Sequence, residues 1–363
     1  MENKKTCLYD NHVALGALMS PFGGFIMPIQ YSSIIDEHNA VRQHCGVFDV
    51  SHMGEVFVTG NDAEKFVNHI FTNDISNAPV GQIFYGMMLY PNGGTVDDLL
   101  VYKMGENNFF LVINAANIDK DVEWILQHAK DYDVNIDHCS ERYGQLAVQG
   151  PEAEAVVEEV LGVACKELVF YTTKTLVIDG EEIIVSRTGY TGEDGFEIYG
   201  SHALIVKMWN QLMESGRCKP CGLGCRDTLR FEVGLPLYGD ELSQDISPVM
   251  AGLGMFCKLN KEEFIGKEAL VEQKSNGVAK KLVGIELQDK AVPRHGYAVI
   301  KDGNVIGEVT TGYHCISVPK SVCMALVDSQ FATLGTEVEI QIRKKTFPGV
   351  VVKKRFYDKH YKK

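Results

Sequence analysis

Apolar residues recur with two different periods along this chain, and the period in force tells which element to expect. At Ile118, Val122, Ile125, Leu126 and Ala129 the spacing follows a helical turn, which predicts an amphipathic helix over about 117–131 with Lys120 and Glu123 on its solvated face. Pro151 followed by AEAVVEEVLG predicts a helix with proline in its first turn and Gly162 closing it. Leu204, Ile205, Met208, Trp209 and Leu212 predict a third helix over about 202–215, stopped by Gly216. Between the last two, TLVIDGEEIIVSR holds two β-rich stretches around Asp179-Gly180, a pair suited to the positive φ of a tight hairpin.

After Leu270 the character changes. VEQKSNGVA is polar and small and reads as a linker, and no helical period follows it. Strands are expected at KLVGIELQ, at YAVI and VIGEV around Asp302-Gly303, at SVCMALV, and at EVEIQIR, where Val338, Ile340 and Ile342 alternate with polar neighbours. The C-terminal part is therefore expected to be an all-β barrel or sandwich of about 85 residues. The preceding residues mix strands and helices without a regular βαβ repeat, which favours an α+β arrangement over a doubly wound parallel sheet.

Composition narrows the class. A chain of 363 residues is expected to form two or three domains, and 45% hydrophobic with 23% charged residues is ordinary for a globular protein. The net charge of −13 disfavours nucleic acid as a partner, since that affinity comes from lysine and arginine displacing counterions. The basic tail from Lys353 to Lys363 is a local exception, read as a solvated terminus. No apolar run reaches the roughly 18 residues of a membrane span, and MENKKTCLYDN has neither the apolar core of a secretory signal nor an Arg-rich leader. The expectation is a cytoplasmic protein, away from membranes, whose ten cysteines stay reduced.

Several segments invite chemistry. Cys218, Cys221 and Cys225 lack the fourth ligand of a zinc or cluster site and read as structural thiols. RTGYTGEDGFEIYG has glycines at 189, 192 and 195, but Glu193 and Asp194 would repel a pyrophosphate, and no phosphate-loop pattern occurs elsewhere. Phe48-Asp49-Val50-Ser51-His52 is too local to assemble a hydrolase triad. In FEIY, Glu197 projects opposite Phe196 and Ile198; alternation alone puts it in solvent, whereas on a pocket wall it would accept two parallel hydrogen bonds from an amidine-like edge. In NGGTVDDLLVYK, Asp97 shares a side with Leu99 and Val101 and Asp98 with Leu100 and Tyr102, so the two cannot form a one-face dyad. A carboxylate leading a strand is commonly a turn cap; desolvated beside aromatic rings, it would instead act as a proton acceptor.

Taken together, TCLYDNHVALGALM, MPIQYSS, AVRQHCGVFDVSHMGE, NGGTVDDLLVYK, NAANIDKDVEWI, LAVQGPEA, SRTGYTGEDGFEIY, GLGCRDTLRFEVGLPLYGDEL and KLNKEEFIGKEAL run in order over nearly the whole chain. In these segments it resembles the aminomethyltransferase (T-protein) family of the glycine cleavage system. The resemblance implies a three-lobed α+β fold: 1–50 with 142–271 as the folate-binding lobe, 51–141 inserted in it, and 279–363 as a C-terminal β-barrel. It implies a transferase that moves the one-carbon unit of the aminomethylated lipoyl arm of H-protein to tetrahydrofolate, giving 5,10-methylenetetrahydrofolate, ammonia and dihydrolipoyl H-protein, without a metal.

Carried over residue by residue, Asp98 matches the family's carboxylate near folate N10, Glu197 its pterin-binding glutamate and Arg226 its folate-binding arginine. Tyr85, Tyr102 and Tyr190 match aromatic positions around the folate, and Met53, Asn114, Tyr171 and Tyr361 are further positions implied to line it. The chain departs from the pattern at Phe25, where tryptophan is common, at Cys225, where alanine precedes the arginine, and at Arg355, where proline is frequent. Two other folate-using groups share this architecture. Folate-dependent demethylases or oxidases usually carry a flavin domain, for which these 363 residues leave no room, and the folate binders of iron-sulfur maintenance carry K-G-C-Y-x-G-Q-E where this chain reads KEEFIGKEAL.

Overall fold

The computed structural model describes residues 3–362; Met1, Glu2 and Lys363, at the ends of the expected first and last units, lie outside the described residues. A six-stranded sheet runs in the spatial order Thr173–Ile178, Glu181–Ser186, Gly195–Gly200, Gly144–Gln149, Gly46–Asp49 and Lys219–Pro220, antiparallel except for the last pair. Helices Ala153–Leu161 and His202–Ser215 cover one face, where Val148, Phe196, Ile198 and Trp209 are fully buried. On the opposite face lies the helix Leu223–Glu232, packed through Cys225 and Leu229 on Phe48 and Ala147.

Chain between the two parts of that sheet forms a five-stranded antiparallel sheet, ordered Ile83–Leu89, Thr95–Gly105, Asn108–Ile113, Gly54–Thr59 and Asn135–His138. One of its faces packs under helices Ala63–Ile70 and Ile118–His128. The other brings Tyr102, Phe110 and Val112 against Ile184 and Tyr199 of the six-stranded sheet. Strands of both sheets are therefore buried on both faces along this seam.

The last part is a closed barrel of Lys280–Leu287, Ser321–Asp328, Asn304–His314, Ala298–Lys301, Glu337–Ile342 and Lys345–Val352. An α+β chain ending in a closed barrel is the expected class. The hairpin turns carry positive φ at Asp179 and Gly180 and at Asp302 and Gly303, as their sequences require. Among the described residues no helix is long and apolar enough to cross a membrane.

Three local expectations need correction, and one strand lies where none was expected. Pro151 precedes its helix, which starts at Ala153 behind an N-cap at Glu152. VEQKSN is not linker: it forms most of a helix Lys267–Asn276, which buries Leu270 alone and so leaves no apolar period to read. The strand Lys345–Val352 closes the barrel although Pro348 and Gly349 lie within it, residues that ordinarily argue against a strand interior. Finally, the basic tail is not a solvated terminus. Lys354 Nζ donates to the Ala251 carbonyl, Phe356 packs on Phe231, and Lys362 pairs with Glu154 at 2.8 Å.

Candidate functional site

Asp98 owes its position to a tight turn and a register. Gly93, at φ 86°, closes the turn from Tyr90, and a Cβ on Gly94 would meet the Gln244 carbonyl at 1.9 Å, so neither position admits a larger residue without a shift. The strand that follows alternates as expected. Asp97 turns into the protein, buried, where it accepts from Asn114 N at 3.0 Å, Asn114 Nδ2 at 2.9 Å and Asn117 Nδ2 at 2.7 Å. Asp98 turns to the seam between the sheets, taking the Tyr85 hydroxyl on Oδ2 at 2.8 Å and Asn114 Nδ2 on Oδ1 at 3.1 Å. It is not a turn cap.

Loss of water, and then the charge of Asp97, push the Asp98 carboxyl up to about 7 against the hydrogen bonds from Tyr85 and Asn114. Behind the pair stands Asp121, wholly buried on the helix Ile118–His128, its carboxyl raised by burial and by the Asp97 charge. Tyr85 packs edge-on against Phe256 with ring centroids 4.9 Å apart.

Glu197 is 6% exposed, which overturns the solvent-facing expectation from alternation. The physical reason is that its strand is covered on both faces: every residue of Gly195–Gly200 is buried, so alternation no longer separates core from water. Gln145 Nε2 donates to its Oε1 at 3.1 Å and Thr188 Oγ1 to its Oε2 at 2.6 Å, while burial raises its pKa. Because the Thr188 proton goes to Glu197, its oxygen accepts from Ser186 at 2.6 Å; Ser186 in turn accepts from Tyr102 at 3.2 Å, and Tyr102 from Tyr199 at 2.8 Å. Tyr102 is thus entirely buried and reaches Glu197 through a one-way chain of hydroxyls.

Arg226 is the fourth residue of the helix Leu223–Glu232. That helix begins at Gly222, where a Cβ would lie 2.2 Å from the Ile29 carbonyl, and Glu37 Oε2 accepts the Gly222 N–H at 2.8 Å. The Arg226 guanidinium stands 5.0 Å from the Tyr190 ring and 5.9 Å from Phe48, and its Nη1 is buried with no hydrogen-bond partner among the described residues. The Tyr190 hydroxyl donates to the Pro236 carbonyl.

Tyr171 has φ 64°, a conformation strained for an aromatic residue, and lies within electrostatic reach of both Asp98 and Glu197. Phe170 beside it stacks on Tyr361 at 4.2 Å and 17°, where the tail returns to the loop before the strand Gly195–Gly200 through His360 N and the Gly192 carbonyl at 2.8 Å. Met53, half-buried, bridges the apolar clusters of Phe48 and of Phe110 and makes no polar link to the carboxylates.

Of the expected residues, hydrogen bonds join Tyr85 and Asn114 to Asp98, and Tyr102 to Glu197 through the relay; the Arg226 guanidinium lies over the Tyr190 ring within electrostatic reach of Glu197. Gln145, Thr188, Asn117 and Asp121 join these residues without being singled out by the sequence motifs. A signal for Gln145 existed: Gln145-Leu146-Ala147-Val148-Gln149 puts two glutamines on one face of a strand. Glu193 and Asp194 are both engaged, with Arg42 at 3.1 Å and Arg187 at 2.9 Å. Among the described residues no group of His, Cys, Asp or Glu is arranged to hold a metal ion.

Comparison with known proteins agrees along the whole chain. Residues 8–261 match the family described as GCVT N-terminal domain, and residues 280–358 the glycine cleavage T-protein C-terminal barrel domain. An aminomethyltransferase of Lysinibacillus sphaericus is 52% identical over 360 residues, 98% of either chain. One from Alkaliphilus oremlandii is 49% identical over the full length of both. The crystal structure of the glycine cleavage system aminomethyltransferase T from Bartonella henselae superposes with a TM-score of 0.95 at 32% identity, covering 99% of each chain.

Proposed function

Since the chain belongs to the glycine cleavage T-protein family, we propose that it transfers the one-carbon unit of aminomethyl-dihydrolipoyl H-protein to tetrahydrofolate. The products are 5,10-methylenetetrahydrofolate, ammonia and dihydrolipoyl H-protein. Bridging N5 and N10 with a methylene removes one hydrogen from each nitrogen. These two hydrogens end on the departing amine and on the lipoyl sulfur, so the reaction needs a proton carrier and no redox partner.

The observation that carries this reading is the state of Asp98: a carboxyl at about 7, held by Tyr85 and Asn114 on the seam between the two sheets. Such a group is partly ionised at neutral pH, so it takes a proton from N10 and returns it with little driving force lost either way. At the other end, Glu197 accepts from the pterin N3–H and 2-amino group, and the unpartnered Nη1 of Arg226 supplies a donor for a ligand carbonyl or carboxylate. Tyr190, Tyr171 and Tyr361 offer ring faces, Met53 an apolar wall, and Tyr102 supports Glu197 through the hydroxyl chain. The reading uses no metal. It takes 1–50 with 142–271, 51–141 and 279–363 as the chain's three units. It also places the reaction in the cytoplasm, to which ten free cysteines are suited.

The test mixes the purified protein with tetrahydrofolate and chemically aminomethylated H-protein, and follows both small products. Equimolar methylenetetrahydrofolate and ammonia are expected. Folate binding without either product, from H-protein known to be competent, would remove the reading.

A further inference from the structure

Gln145 and Gln149 lie on the same face of one strand, and their amides are in opposite states. Gln149 is complete: its Nε2 donates to the Thr188 carbonyl at 3.0 Å and its Oε1 accepts from Thr191 Oγ1 at 2.9 Å. Gln145, only 1% exposed, is half satisfied. Its Nε2 donates to Glu197 Oε1 at 3.1 Å, whereas its Oε1 is buried with no partner among the described residues. Flipping the amide does not remove the defect, because a carbonyl oxygen would then face a carboxylate oxygen. A buried carbonyl without a donor is costly, and such a group persists where a ligand completes it.

The carboxylate beside it narrows what that ligand offers. Thr188 and Gln145 each use one acceptor site on Glu197, one per oxygen, which leaves a site on each oxygen for two parallel N–H donors. An amidine-like edge supplies them with a ring N–H and one hydrogen of an exocyclic amine, and the second amine hydrogen is then left to be accepted. We propose that Gln145 is a specificity-determining residue of this site: its amide N–H orients Glu197 and its free Oε1 accepts the second hydrogen of the pterin 2-amino group. The inference rests on the folate reading given above and extends it to a residue that reads the amine directly.

The experiment compares two ligands on two proteins. Dissociation constants for tetrahydrofolate and for 2-desamino-2-methyltetrahydrofolate are measured by calorimetry on the full-length parent and on Gln145→Leu. With Gln145 on the amine, the variant loses about tenfold in affinity for tetrahydrofolate and clearly less for the desamino ligand, which loses only the orientation that the Gln145 N–H gives Glu197. Equal weakening of both ligands would mean that Gln145 only shapes the pocket, and no change in either would mean that it does not touch the ligand; both overturn the inference. A parent that binds neither ligand overturns the folate reading itself, and this inference with it. Gln145→Met, close to isosteric and with only the weak acceptor of a thioether, carries the same comparison if thermal denaturation shows that the leucine variant does not fold.

Discussion

Asp98 and Glu197 are both desolvated carboxylates, yet their partners fit them for different work. Asp98 has a neighbouring negative charge in Asp97, which adds to burial and brings its titration to about 7. Glu197 has a neighbouring guanidinium in Arg226 and two neutral donors, which oppose the effect of burial. Asp98→Asn should therefore bind tetrahydrofolate within about threefold of the parent while losing on the order of a hundredfold or more in kcat. As the proposed proton acceptor would work ionised, parental kcat should fall as pH drops below about 7, well above the ordinary range of an aspartate, and the residual rate of the variant should lack that limb. Stopped turnover assays across pH decide this; an unchanged acid limb in the variant would take Asp98 out of the proton path. Glu197→Ala, by contrast, should weaken folate binding about tenfold or more, with the Asp98 limb still present in the residual rate. The strand period alone separated Asp97 from Asp98 correctly, since that depends only on backbone alternation. It misplaced Glu197, since burial of the second face comes from another part of the chain.

At the scale of elements, what could be read in advance was whatever announces itself locally. Helices 118–128 and 202–215 have an apolar stripe, the latter with glycine at its C-terminus in the left-handed conformation, and both hairpins have Asp-Gly turns. The helix Lys267–Asn276 and the strand Lys345–Val352 have no such signature, because one is held by a single buried leucine and the other by pairing with strands on both sides. The helix Leu223–Glu232 shows how an element delivers a residue of the proposed site. Its start is pressed against the strand Phe25–Gln30 at a separation only glycine permits, and Arg226 follows one turn later. A methyl group at Gly222, 2.2 Å from the Ile29 carbonyl, forces backbone rather than a flexible side chain to move. Gly222→Ala should cost about 2–3 kcal/mol in urea unfolding and raise the folate dissociation constant through displacement of Arg226. Loss of stability with unchanged folate affinity would show that the arginine's position does not depend on this contact.

Across the whole molecule, buried carboxylates tie the barrel to the α+β portion: Glu241 accepts Thr310 Oγ1 at 2.6 Å and Thr311 Oγ1 at 2.7 Å, and Glu232 makes a second such junction. Glu232, 1% exposed at the end of that same helix, accepts Ile316 N at 2.9 Å and Ser317 N at 2.8 Å from the barrel and Arg42 Nη2 at 3.1 Å from the helix Ile34–Gln43. Its own backbone carbonyl accepts Phe356 N and Tyr357 N, which starts the tail on its path back toward Tyr361. Burial by itself would raise this carboxyl, but the hydrogen bond and charge of His38 and the donors of Ser317 outweigh it and hold the group at about 2. A folded pKa below the unfolded value of about 4.3 stabilises the fold fully above the latter, and the contribution disappears as pH falls from about 4.3 to about 2. The two values correspond to about 3 kcal/mol, similar to the cost of breaking a buried ion pair by removing one partner. Glu232→Gln should therefore be less stable than the parent by about that amount at neutral pH, and the two unfolding free energies should converge as pH approaches about 2. Urea titrations of both proteins over that range measure the difference directly. Curves that stay parallel would mean that the barrel is held by the apolar contacts of Phe231, Met324 and Phe356 and by the Glu241 hydrogen bonds to Thr310 and Thr311 rather than by this carboxylate.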